Sequence, residues 1–168
     1  PRDGYRSENA RPEDWIMAGN HDTPPIWQVA LAWAERGEIP ARAAALAQRL
    51  APDPAGAAPL AARLAGDPGL LVHAVFADLL ASPARNVMVF FTDLFGLEEP
   101  YNRPGTRLAE NWSLRVPPDY AALHATRCER LRALDLPFAL ALALRSGEAS
   151  HARRQLADAL AARSRHRG

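Results

Sequence analysis

Asn86-Val87-Met88-Val89-Phe90-Phe91 is the stretch whose reading decides the fold. Its hydrophobicity after Asn86 is continuous rather than alternating, the pattern of a strand covered on both faces, as in a parallel sheet. Thr92 and Asp93 stand at its C-terminal end. Upstream, Trp15-Ile16-Met17-Ala18-Gly19 is a second short apolar run, closed by glycine and followed by Asn20-His21-Asp22-Thr23-Pro24-Pro25, which reads as a buried strand entering a loop. Helical patterns and no hairpin signal lie between the two. Strand, helices, strand is the order of α/β architecture with a parallel crossover.

The intervening helices have readable starts. Thr23 is an N-cap candidate with Pro24 and Pro25 in the first turn, followed by the apolar stripe Ile26, Trp27, Ala30, Leu31 and Ala34, which Gly37 ends. Pro40 to Gly66 is rich in Ala, Leu and Arg but broken by Pro52, Pro54, Gly56 and Pro59, predicting two short helices. Asp67-Pro68 opens another, with a broad apolar face through Leu70, Leu71, Ala74, Val75, Leu79 and Leu80, stopping near Ser82-Pro83. Beyond Phe91 a polar loop from Glu98 to Glu110 precedes three further helices. Asp119 caps the first, Pro137 opens the second, and the third runs from about Ser150 to an end, Arg163-Ser164-Arg165-His166-Arg167, that reads as frayed.

Composition narrows the function classes. The chain has 168 residues, 48% of them hydrophobic and 23% charged, enough for a sizeable core. Twenty basic residues oppose nineteen acidic ones, a net charge of +1, so no strong field draws in nucleic acid. No run reaches the roughly 18 consecutive apolar residues of a membrane span, and no signal peptide is visible, so a soluble, cytoplasmic protein without a membrane partner is expected. The single Cys128 excludes an internal disulfide and thiolate zinc clusters. All basic residues are arginine and alanine is about a fifth of the chain, a bias we read as that of a GC-rich genome. Pro1-Arg2-Asp3-Gly4-Tyr5 begins without methionine, so a native start is not expected there.

Few residues are candidates for chemistry. Asn20-His21-Asp22 sits where a strand's C-terminal end meets a loop, where a histidine and a carboxylate together can hold a ligand hydroxyl from two sides. The alternative is that Asp22 or Thr23 simply caps the following helix. Asp93 carries the same two readings, cap or site carboxylate. Tyr101 and Trp112 flank the polar loop and offer faces for stacking on a ring, whereas Trp27 and Trp33 read as helix packing. His124 and Cys128, four apart on a helix, have metal-ligand spacing without a second pair, which favours packing. Ser82 lacks a nucleophile-elbow context, and Gly4, Gly19 and Gly37 form no phosphate loop, so no cofactor is expected.

Gly19-Asn20-His21-Asp22-Thr23, Ala81-Ser82-Pro83-Ala84-Arg85, Asp93-Leu94-Phe95-Gly96-Leu97, and Asn102-Arg103-Pro104-Gly105-Thr106 with Asn111-Trp112-Ser113-Leu114-Arg115 together resemble the amylomaltases. These are the 4-α-glucanotransferases, or disproportionating enzymes, of glycoside hydrolase family 77. The similarity covers Trp15 to Arg115, in the right order. Asn20, Pro24, Pro25 and Leu114 depart from the family's usual pattern, which implies a divergent branch.

The resemblance implies a (β/α)8 TIM barrel of which this chain is the C-terminal part, mostly helical with about two parallel barrel strands, residues 1–168 forming one incomplete segment. It implies transfer of α-1,4-glucan segments from maltooligosaccharides to the 4-hydroxyl of an acceptor sugar, with retention through a covalent glycosyl-enzyme. By motif, Asp22 matches the carboxylate that stabilises the transition state and His21 its sugar-binding neighbour. Asn20 lies beside them, and Asn102, Pro104 and Gly105 fall in a loop bordering the cleft. The nucleophile and the acid/base belong upstream of the His-Asp motif in this family. Because a whole barrel takes about 250 residues, the chain is expected to be inactive and poorly soluble alone.

Overall fold

The computed structural model describes residues 6–147 and 149–166. Pro1 to Tyr5, including Gly4, and Arg167 lie outside the described residues. Elements follow in the order β1 (Trp15–Met17), α1 (Ile26–Glu35), α2 (Ile39–Leu50), α3 (Pro54–Gly66), α4 (Pro68–Leu80), β2 (Asn86–Met88), α5 (Phe91–Phe95), α6 (Tyr120–Glu129), α7 (Leu136–Arg145) and α8 (His151–Arg163). The structure is mostly helical, and its two strands pair in parallel, with Trp15 opposite Asn86, Ile16 opposite Val87 and Met17 opposite Met88.

The strands are shorter and more open than the sequence predicts. Val89 and Phe90 leave the pairing, and Phe91 already begins α5, because a run of apolar residues serves equally as strand end and as the first turn of a helix. Nor are both faces covered: Trp15 is 66% and Met88 41% exposed. The two helices expected to be short between Pro40 and Gly66 are full ones, α2 and α3, since Pro54 occupies the first turn of α3 and Pro59 is accommodated within it.

The core is organised around α4. Its residues are apolar on nearly every side, which suits a helix buried on every side. Leu70, Leu71, Ala74 and Ala77 pack with Ala43, Ala47 and Leu50 of α2 and Leu64 of α3. On another side Val72 and Phe76 meet Ile26, Trp27 and Ala30 of α1 and Ala139 of α7. As the sequence predicts, Asp67 caps α4, accepting from the Gly69 N–H at 2.8 Å and the Leu70 N–H at 3.2 Å.

One polar residue lies in the middle of this helix. His73 is fully buried, with Nδ1 2.7 Å from the Gly69 carbonyl and Nε2 accepting the Asp135 N–H at 2.9 Å. Those partners require an Nδ1-protonated neutral ring. Burial accordingly holds the His73 pKa below its ordinary value. Asp135, also buried, caps α7 through the Phe138 N–H and accepts from Ser164 Oγ (3.0 Å) and the Arg165 N–H (2.7 Å). Up to His166, the last described residue, the end is therefore not frayed: the helix stops at Arg163 and Ser164 turns inward onto this carboxylate.

Candidate functional site

The turn after β1 and the loop after α5 bring the candidate residues together. After β1, the chain makes a tight turn built by Asn20: its N–H donates to Thr23 Oγ1 (2.8 Å), its Oδ1 accepts the Asp22 N–H (2.8 Å), and its carbonyl accepts from the Thr23 hydroxyl (3.1 Å). Gly19 is needed here, because a Cβ at that position would lie 2.6 Å from Thr23 Oγ1. The turn turns His21 and Asp22 outward, each with a side chain about half exposed, and His21 Nε2 stands 3.4 Å from Asp22 Oδ2.

Neither Asp22 nor Thr23 caps α1, which corrects the cap assigned to them. Pro24 and Pro25 have no N–H to give, so the first donor of α1 is the Ile26 N–H, and it is taken by Asp93 Oδ1 at 2.8 Å. The Asp93 carbonyl also accepts from Trp27 Nε1 at 2.8 Å. Asp93, 1% exposed, is thus the cap of α1 supplied from α5, and burial pushes its carboxyl up to about 6 against the opposing Ile26 hydrogen bond. Thr23 closes the turn instead, and Asp22 is left free of any helix-capping bond.

The other side of the site comes from the loop after α5. Asn102 Nδ2 donates to Asp22 Oδ1 at 2.6 Å. The Trp112 ring lies 5.2 Å from the His21 ring at a tilt of 41°, and Tyr101 packs edge-on against Trp112 (5.3 Å) and against Phe91 (5.4 Å). An aromatic series thus runs from the start of α5 through Tyr101 and Trp112 to His21, with Trp112 50% exposed. Trp112 has φ 65°, an unusual conformation for a bulky residue. Pro104 and Gly105 form the exposed tip of the loop, in a turn closed by the Thr106 N–H on the Arg103 carbonyl (3.2 Å), with no hydrogen bond to His21 or Asp22.

Asn20, His21, Asp22, Tyr101, Asn102 and Trp112 thus converge, while Pro104 and Gly105 stand at the rim. A carboxylate holding one amide donor, with a free imidazole edge and a half-exposed indole beside it, is suited to binding a polyhydroxylated ring. The carboxylate accepts hydroxyl donors and the indole covers an apolar sugar face. Trp27, buried between α1 and Asp93, and Trp33, with the Arg42 guanidinium 4.6 Å above its ring, belong to the packing.

His124 and Cys128 lie 3.4 Å apart, with His124 Nε2 also 3.2 Å from the Leu134 carbonyl, and burial pushes the Cys128 thiol up to about 12. Among the described residues no group of three or more His, Cys, Asp or Glu side chains is arranged to hold a metal, and no helix is long and apolar enough to cross a membrane. No protein-family model matches the chain, and no curated protein or solved structure matches it either.

Two residues important to this arrangement carry weak signals in the sequence. Asp93 is visible as a cap or a site carboxylate, with no indication that it caps a helix so distant in sequence. Asn111 sits in a quoted motif, yet nothing in its neighbours assigns it the three hydrogen bonds it makes to Arg103 and Thr106.

Proposed function

We propose that this chain supplies the transition-state-stabilising carboxylate, Asp22, of a 4-α-glucanotransferase acting on α-1,4-glucans and maltooligosaccharides. The observation that carries the proposal is the meeting of two sequence blocks in one place: Asn102 donates to Asp22 at 2.6 Å while Trp112 lies against His21. Those are the blocks in which the sequence resembles the amylomaltases, and an accidental likeness has no reason to bring blocks so far apart in the chain into contact.

The chemistry follows from the charge. Cleavage of a glycosidic bond with retention passes through an oxocarbenium-like state, flanked by a nucleophile and an acid/base whose carboxyl groups stand about 5 to 5.5 Å apart. In this reading both are contributed by polypeptide upstream of Trp15. Asp22 accepts hydrogen bonds from donor-sugar hydroxyls, and its negative charge favours the cationic ring more than the neutral ground state. His21 and Asn102 hold it in one orientation, and Trp112 offers the sugar a stacking face. The C-terminal part of a (β/α)8 barrel, carrying about two of its strands, with cytoplasmic location and a partner sugar polymer, is part of the same proposal.

The test is the product pattern from maltotriose in the intact enzyme. A transferase yields both longer and shorter oligosaccharides, and Asp22→Asn, which keeps shape and loses charge, abolishes them with an unchanged melting temperature. Glucose and maltose as the only products would overturn the transferase reading in favour of hydrolysis. Near-normal turnover by Asp22→Asn would remove Asp22 from the chemistry.

A further inference from the structure

We propose that Asn111 is a positioning residue for the Asp22–His21 site: its carboxamide cinches the loop between Tyr101 and Trp112 so that Asn102 and Trp112 reach that pair together. This rests on the glucan-binding reading of the same site.

The loop has little else to fix it. Within it, Arg103 to Glu110 are exposed and belong to no helix or strand. An unbraced segment of this kind loses substantial conformational entropy when its ends are held in one geometry. Two rungs hold it. The Trp112 N–H donates to the Tyr101 carbonyl at 2.9 Å, and the Arg103 N–H donates to Asn111 Oδ1 at 3.1 Å. Asn102 lies between the rungs, so its backbone is fixed on both sides and its side chain is directed onto Asp22.

Asn111 also turns the other way. Its Nδ2 donates to the Thr106 carbonyl (3.2 Å) and to Thr106 Oγ1 (3.0 Å), while Thr106 Oγ1 in turn donates to the Arg103 carbonyl (2.7 Å). One planar amide thereby satisfies a donor on one limb of the turn and two acceptors at its far end. No other side chain of this size has both polarities in one plane. Asp offers the acceptor alone and Leu neither. Directly after Asn111 comes Trp112 with φ 65°, a conformation a tryptophan adopts only when its surroundings impose it. The imposed conformation is the one that lays the indole beside His21. Asn111 itself makes no hydrogen bond to Asp22 or His21, so its effect on them passes through its neighbours.

The experiment uses the intact enzyme labelled with 5-fluorotryptophan, in which the fluorine resonance that disappears in Trp112→Phe identifies Trp112. Asn111→Asp, nearly isosteric, places an oxygen against the Thr106 carbonyl. The expected result is a displaced or broadened Trp112 signal, unmoved Trp27 and Trp33 signals, and maltotetraose binding weakened on the order of tenfold. The melting temperature should stay within about 3 °C, because the substitution is at the surface. An unmoved Trp112 signal with unchanged maltotetraose affinity overturns the proposal. So does weakened binding accompanied by a general loss of stability that Asn111→Leu and a substitution remote from the loop reproduce equally. If the wild-type Trp112 signal does not respond to maltotetraose at all, it is the glucan reading that fails. The comparison of wild type with Asn111→Asp still decides the positioning role.

Discussion

Replacing Asp93 with asparagine should stabilise the protein at neutral pH by an amount that disappears below about pH 4. Asp93 is 1% exposed and takes one strong hydrogen bond, from the Ile26 N–H. Desolvation outweighs that hydrogen bond and raises its pKa from 3.8 to about 6. The raised value fixes the sign. Below about pH 4 the carboxyl is protonated whether the chain is folded or not, and it carries no penalty. Between about 4 and about 6 the folded protein retains a proton that the unfolded chain has released, so stability falls as pH rises. Above that window both states are ionised and the deficit is constant. A rise of about two units, at 1.36 kcal/mol each, sets the deficit at about 3 kcal/mol. Asparagine keeps an acceptor for Ile26 and cannot ionise.

The informative quantity is the difference in unfolding free energy, Asp93→Asn minus wild type, measured by urea denaturation followed by circular dichroism across this pH range. All other titrations are common to both proteins and cancel. The difference should rise by up to about 3 kcal/mol between about pH 4 and about pH 7.5. A constant offset, such as the cost of burying the amide nitrogen, shifts the curve without changing its slope. A pH-independent difference would refute the reasoning, showing that Asp93 ionises in the folded protein as it does in water.

Other substitutions test the packing. Gly96→Ala places a methyl group 1.8 Å from the Arg132 carbonyl oxygen at a backbone φ of 70°, and should lower the melting temperature by about 10 °C or prevent folding. Gly37→Ala, with φ 68° but open space around it, isolates the conformational part and should cost only about 1 kcal/mol in the same melt. Asp135→Ala strands the Phe138 and Arg165 N–H groups and the Ser164 hydroxyl. Denaturation should show a loss of about 2–4 kcal/mol, and hydrogen exchange should accelerate over Ser164 to His166. Cys128, 1% exposed with its thiol pushed up to about 12, should resist a disulfide reagent in the native protein and react at the rate of unfolding.

Local chemistry in the sequence carries much of the fold. Asp67-Pro68 marks the start of α4 because an Asx cap and a first-turn proline need only their own neighbours, and the parallel pair follows from two apolar runs separated by helices. What is not legible is where a side chain finds its partner far along the chain. Thr23 has the composition of a cap and Asp93 has the position of one, and only the packing of α5 against α1 chooses between them. The polar tail after α8 looks frayed for the same reason, since the carboxylate that holds Ser164 is on the segment before α7. Within the site, the Asn20 turn is local and readable. The Asn102 bond to Asp22 and the Asn111 brace are tertiary, and no periodicity encodes them.

The shortness of the strand pair has a kinetic consequence. Three residues of parallel ladder, with Trp15 meeting Asn86, give too little to offset the closure of so long a connection, so the pair cannot nucleate folding. Contacts local in sequence, such as α2 on α3 and α7 on α8, are expected to form first, with β1 expected to meet β2 after α1 and α5 dock about Asp93 and Ile26. Asp22 and Asn102 should therefore be among the last groups to meet. A substitution that slows docking of α1 should delay the assembly of the Asp22–Asn102 contact while leaving its final geometry untouched.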